Sequence, residues 1–152
     1  MLNSRALTTR RSALLRGTGM VLAATTAVAR NVAAAVAAPD ARWYEAAVSM
    51  KRLAESWGDQ PYGAVVVLNG LLVGEGPSRV IKKRDSSAHA EREALRDAQC
   101  RLGTDDLEGA VLYSTSRPCS LCEHAAATAK VSRMYFGASL SDAGRPQAAR
   151  RE

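Results

Sequence analysis

From position 41 to 57 apolar side chains return every three or four residues, at Trp43, Ala47, Met50, Ala54 and Trp57. That period lays them along one stripe of an amphipathic helix, and it predicts both tryptophans in the core rather than on a ligand platform. Asp40, just ahead, has the short carboxylate that caps a first turn. Then the period changes. Residues 64–68 are continuously apolar, with three valines in a row, as a buried strand requires. Asn69-Gly70 follows, and both residue types tolerate positive φ, so 71–76 is expected to return as an antiparallel hairpin partner.

Residues 77–88 are polar and irregular and are expected as a solvated loop. Its Lys82-Lys83-Arg84 cluster has a second reading, as charges that meet a phosphate or acidic ligand at a pocket rim. From 88 to 102 the helical period resumes through Ala94, Leu95, Ala98 and Leu102, and Gly103 stops it. Cys100, near that end, is expected as a small buried apolar residue. A third strand is predicted over 110–114, and a helix over 118–130 that opens on Pro118, a residue suited to a first helical position. A fourth strand is predicted over 131–137, and no element from 138 onward. This order of elements predicts an α/β sandwich whose later strand–helix–strand unit is parallel and right-handed.

A chain of 152 residues with 47% hydrophobic side chains makes one domain with a core. Its net charge of +6 hints at a nucleic-acid partner until the charges are located. Five of the 21 basic residues (Arg5, Arg10, Arg11, Arg16, Arg30) fall in the first 39 positions, where no acid occurs, which leaves 16 basic against 15 acidic. A near-neutral domain argues against nucleic acid. Thr9-Arg10-Arg11-Ser12-Ala13-Leu14-Leu15 resembles the twin-arginine export consensus, and the alanine-rich stretch after it is too weakly apolar for a membrane span. Residues 1–38 are therefore expected to be an export signal, with Ala35-Val36-Ala37 or Ala27-Val28-Ala29 as cleavage site. The domain over 39–152 would then be periplasmic or secreted. The plain alternative is a disordered or tethered alanine-rich tail.

Chemistry gathers at His89-Ala90-Glu91 and Pro118-Cys119-Ser120-Leu121-Cys122. Zinc takes tetrahedral nitrogen and sulfur ligands, and a catalytic site uses three of them beside an open position. Both motifs open helices, where free N–H groups and the dipole favour thiolate. Cys119 and Cys122 share a helix face, and Glu91 is left to move protons. Cys100 is the odd third cysteine, which argues against a disulfide scaffold. C-x-x-C alone also fits a redox pair. A closed structural site would need a fourth ligand, for which His124 is the spare histidine, pointing away along its helix.

At these residues, H-x-E followed by P-C-x-x-C, the chain resembles the cytidine and deoxycytidylate deaminase family over about residues 41–137. The resemblance implies a three-layer α/β/α sandwich with a mixed sheet, zinc on His89, Cys119 and Cys122, and Glu91 as proton shuttle. Pro61-Tyr62-Gly63-Ala64 resembles the P-F-G-A segment of guanine deaminases. Histidine as first ligand is shared with purine, tRNA adenosine and yeast-type cytosine deaminases. The implied function is hydrolytic deamination of a free purine base or nucleoside, with guanine leading. The alternatives are a tRNA adenosine or cytosine/cytidine deaminase, or a degenerate zinc-binding relative. Homodimers are usual in the family. By the same resemblance Ser78, Ala90 and Asp142 are candidate substrate contacts. Ser78 stands where relatives carry the asparagine of G-x-N-R, and Asp142 stands about where guanine deaminases hold a base-contacting aspartate. Asp85-Ser86-Ser87-Ala88 departs from D-P-T-A, and the family's usual further C-terminal helix is missing from the pattern.

Overall fold

The computed structural model describes residues 38–148. The export signal expected over 1–38 lies outside them, apart from Ala38. Helix α1 spans Ala41–Ser56 and begins where Asp40 accepts a hydrogen bond from the Arg42 amide at 3.0 Å. Strands β1 (Gly63–Leu68) and β2 (Leu71–Pro77) form the hairpin, turned by Asn69 and Gly70 at φ of 52° and 74°. Then come α2 (Val80–Lys83), α3 (Ala90–Leu102), β3 (Val111–Ser114), α4 (Ser120–Thr128), β4 (Arg133–Phe136) and β5 (Ser141–Gly144).

The sheet runs β2-β1-β3-β4-β5. Strands β3 and β4 are parallel, with α4 between them in sequence, and each other neighbouring pair is antiparallel. Alternation along β1 sets the layers. Val65 and Val67 join Ala47 of α1 with Tyr113 and Tyr135 on one face. Ala64 and Val66 join Ala94 and Ala98 of α3, Ala126 of α4, Leu112 and Met134 on the other. The result is the expected three-layer α/β/α sandwich. Among the described residues no helix is long and apolar enough to cross a membrane.

One contact fixes α3 closely. A Cβ on Gly76 would stand 2.0 Å from the Ala90 carbonyl oxygen, so the strand and the first turn of α3 touch backbone to backbone.

Several local expectations are corrected. Residues 80–83 wind into one helical turn, ended by Arg84 in the left-handed region at φ 50°, rather than staying a plain loop. Helix α4 starts at Ser120, because Cys119, not Pro118, is the residue that turns the chain into it. Residues 141–144 form an edge strand where none was expected, held by pairing with β4 rather than by any apolar alternation of their own. Trp57 is 37% exposed, with the Lys82 ammonium 3.7 Å from its ring centre, whereas Trp43 packs against the α1-side core. Cys100 is exposed, because two positions past Ala98 carries it to the far side of α3.

Candidate active site

Two helix starts meet at the site. His89 is the N-cap of α3 and Cys119 the N-cap of α4, and both have extended backbone. Neither side chain is spent on capping its own helix. Each is free to reach the other: His89 Nδ1 lies 3.6 Å from Cys119 Sγ and 3.5 Å from Cys122 Sγ, and the two sulfurs are 3.5 Å apart. Cys122 joins them from one turn into α4, where it is buried.

This triangle fits zinc. Zn–S of about 2.3 Å and Zn–N of about 2.0–2.1 Å in a tetrahedron give ligand-to-ligand edges of roughly 3.6–3.8 Å. Among the described residues these three are the cluster able to hold a metal ion, and His124 stands outside it.

The charges argue the same way. Glu91 is 6% exposed and accepts a hydrogen bond from the Cys122 thiol at 3.5 Å. Burial pushes the Glu91 carboxyl above its ordinary range. Burial first, and Glu91 second, push the Cys122 thiol up as well. A buried thiol with a second, exposed one at 3.5 Å, beside a buried carboxylate, is a donor set that a divalent cation balances.

The site opens into a cleft of about 250 Å³. His89, Ala90, Glu91 and Cys119 line it from the two helix starts, Gln60 and Tyr62 from the segment before β1, and Ser116 and Arg117 from the segment before α4. Both segments are tied down. Thr115 exchanges hydrogen bonds with Gly63, receiving the Gly63 amide on Oγ1 at 3.1 Å and donating its own amide to the Gly63 carbonyl at 2.9 Å. The Ser114 hydroxyl donates to the Ser116 carbonyl. Asp59 is buried and accepts from the Gln60 amide, the Lys82 amide and the Ser78 hydroxyl at 2.8, 2.8 and 2.9 Å.

The structure therefore brings His89, Ala90, Glu91, Cys119 and Cys122 together and leaves two candidates elsewhere. Ser78 is fully buried, gives its hydroxyl to Asp59 and does not line the cleft. Asp142 sits on β5, paired with Arg133 at 2.9 Å, and does not line it either. Both lysines of the basic cluster after β2 are also engaged away from the cleft: Lys83 pairs with Glu93 at 2.7 Å and Lys82 covers Trp57. Gln60, Tyr62, Ser116 and Arg117 were not singled out from the sequence as cleft residues. The signal for Tyr62 was its place in Pro61-Tyr62-Gly63-Ala64, and for Arg117 its place beside Pro118.

Fold and site together define a zinc-dependent hydrolase that acts on C–N bonds. The chain belongs to the cytidine and deoxycytidylate deaminase family, whose zinc-binding region matches residues 37–138. It is 37% identical over 103 residues to the tRNA-specific adenosine deaminase of Buchnera aphidicola subsp. Schizaphis graminum, covering 68% of each chain. It is 36% identical over 83 residues to the guanine deaminase of Bacillus subtilis, covering 55% of this chain and 54% of that one. Among solved structures it resembles a tRNA:A34 deaminase (36% identity, TM-score 0.62, 64% of this chain and 71% of that chain). It is similar to the B. subtilis guanine deaminase to the same degree in shape (30% identity, TM-score 0.62, 66% and 64%).

Proposed function

We propose that this chain hydrolytically removes the exocyclic amine of a purine, with adenine carried by a nucleotide as the leading substrate. The observation that carries the deaminase reading is the convergence of the His89–Cys119–Cys122 triangle and the buried Glu91 in one cleft. Relatives named as tRNA-specific adenosine deaminases, at 35–38% identity, support adenine over the guanine favoured by the sequence resemblance. Guanine remains a second reading, supported by the B. subtilis enzyme's similarity in sequence and shape. The cleft volume suits one flat heterocycle, since drug-sized ligands take pockets of about 300–1,000 Å³.

His89, Cys119 and Cys122 would hold zinc, which supplies a water that ionises near neutral pH. Glu91 moves the protons. Its raised carboxyl takes one proton from the water that adds to the ring carbon and gives it to the ring nitrogen. It then takes the second from the hydroxyl so formed and gives it to the amine, which leaves as ammonia when its C–N bond breaks. Tyr62 and Gln60 close one side over the base. The arginine-pair leader, read as an export signal, would place this chemistry outside the cytoplasm. Edman sequencing of the chain recovered from periplasmic and cytoplasmic fractions tests that placement.

The test of function is ammonia release by the zinc-loaded chain from adenine, adenosine, AMP, guanine, guanosine and a short adenine-containing RNA, with Glu91→Gln as control. Turnover lost by a factor of about 10²–10⁴ in Glu91→Gln, with zinc retained, is the expected result. Equal rates in both proteins would overturn the mechanism.

A further inference from the structure

The cleft carries a permanent positive charge that deamination of a neutral base does not call for. Arg117 lines it together with Gln60 and Tyr62, two residues before Cys119. Among the described residues no carboxylate pairs with it; its one contact is with the Phe136 ring, 5.9 Å from the guanidinium carbon to the ring centre. Arg79, Arg96 and Arg101, by contrast, are each paired to an acid, and none of them lines this cleft. Arg117 also stands on a fixed base. The segment before it is pinned through Thr115 to Gly63 and through Ser114 to the Ser116 carbonyl. An exposed guanidinium that lies beside a ring, is held at its root and is left without an anion is placed to receive one, and its fork matches phosphate oxygens.

We propose that Arg117 is a specificity residue that binds a phosphate on the substrate, so that the chain prefers a phosphorylated nucleoside to the free base or nucleoside. The inference rests on the deaminase reading and narrows it. The shared chemistry is a phosphate attached to the sugar of the reacting nucleoside, whether on a free nucleotide or within an RNA strand.

The experiment compares adenosine, AMP and a short single-stranded RNA on the zinc-loaded chain, with Arg117→Ala, Arg117→Lys and Arg117→Glu. The readout is the ratio of kcat/KM for phosphorylated over unphosphorylated substrate. The wild type is expected to favour phosphate by about tenfold or more, since one charge-assisted contact is worth on the order of 1.5–3 kcal/mol. Arg117→Ala should bring the ratio near one, Arg117→Glu below one, and Arg117→Lys should restore part of it. General damage to the fold lowers both rates together and leaves the ratio intact, so an unchanged ratio in Arg117→Ala overturns the proposal. AMP preference with no RNA preference assigns the phosphate to a free nucleotide, and the reverse assigns it to a strand. Calorimetric titration of AMP and adenosine into the same proteins separates the two readings. AMP bound more tightly than adenosine, with the difference lost in Arg117→Ala, sustains the phosphate site even where no substrate turns over. Equal binding of the two by the wild type overturns it.

Discussion

Helices α3 and α4 each deliver part of the site from a first turn, yet they are held by different physics. Helix α3 has thirteen residues, six of them buried, and its first turn lies directly on the backbone of β2 at Gly76. Glu93, buried one turn in, accepts from Lys83 at 2.7 Å and Arg96 at 2.6 Å, with the Arg79 Nε at 3.7 Å. Helix α4 has nine residues and buries two, Cys122 and Ala126. One of those two, Cys122, belongs to the cluster that could hold a metal ion. The fold therefore fixes the helix that carries Glu91, while the helix that carries the two sulfurs is left with less apolar burial to hold it.

The comparison breaks most easily at Gly76. An added methyl would meet the Ala90 carbonyl oxygen at 2.0 Å and the Ala94 amide nitrogen at 2.4 Å, and backbone cannot step aside as a side chain can. Gly76→Ala is expected to cost about 3 kcal/mol or more and to lower zinc content, because His89 and Glu91 move with α3. Gly70→Ala is the control. It has a φ of 74° and nothing within 4 Å, so it should cost about 1 kcal/mol and keep its zinc. Thermal unfolding and metal analysis of both variants check this, and equal losses would mean the close approach has no special weight.

Zinc removal sharpens the contrast between the helices. Chelation should strip hydrogen-exchange protection from α4 first, while α3 amides from Ala94 onward stay protected by the core they line. Exchange measured with and without chelator decides it. Equal loss in both helices would show that the ion supports the whole layer rather than α4.

The same asymmetry explains what could be read from sequence. Long periodic runs are decided by burial, so α1, the hairpin and α3 were legible, and with them the layer order. The grouping of the candidate site residues was legible too, because His89, Glu91, Cys119 and Cys122 sit at fixed offsets inside the turns that open α3 and α4. What escaped is set by partners far along the chain. Strand β5 has the composition of a turn and exists by pairing with β4. Ser78 was read as a substrate contact, but Asp59, nineteen positions earlier, takes its hydroxyl. Trp57 fitted a helical stripe by count, yet it stands at the end of α1, past the sheet, and is covered by Lys82 instead.

Glu93 offers a smaller test on the α3 side. Glu93→Gln keeps the shape and removes the charge that gathers Arg79, Lys83 and Arg96. Those cations are each about 40% exposed, so water screens much of the loss. A cost of about 1–2 kcal/mol is expected, with faster exchange in α2 and unchanged zinc content. Loss of zinc in this variant would place α3 among the metal-dependent parts.

The smallest effect is expected at Asp59, which ties α2 to the cleft segment carrying Gln60 and Tyr62. Its Oδ1 accepts from the Gln60 amide and the Ser78 hydroxyl, and its Oδ2 from the Lys82 amide. Burial opposes its charge, but the hydrogen bonds from Lys82, Gln60 and Ser78 prevail and hold its carboxyl below the usual carboxylate range. Asparagine keeps one acceptor and turns an amide against the Lys82 N–H, so Asp59→Asn should cost about 1 kcal/mol near neutral pH. KM should rise as Gln60 and Tyr62 shift, while zinc stays. The sign with pH follows from the lowered carboxyl: its stabilisation is present above the unfolded carboxylate's pKa and is lost as pH falls through the folded one. The gap between wild type and Asp59→Asn in urea unfolding should therefore be widest near pH 7 and close toward about pH 3. A gap that stays constant over that range would mean that shape, not charge, is what Asp59 contributes to the cleft wall.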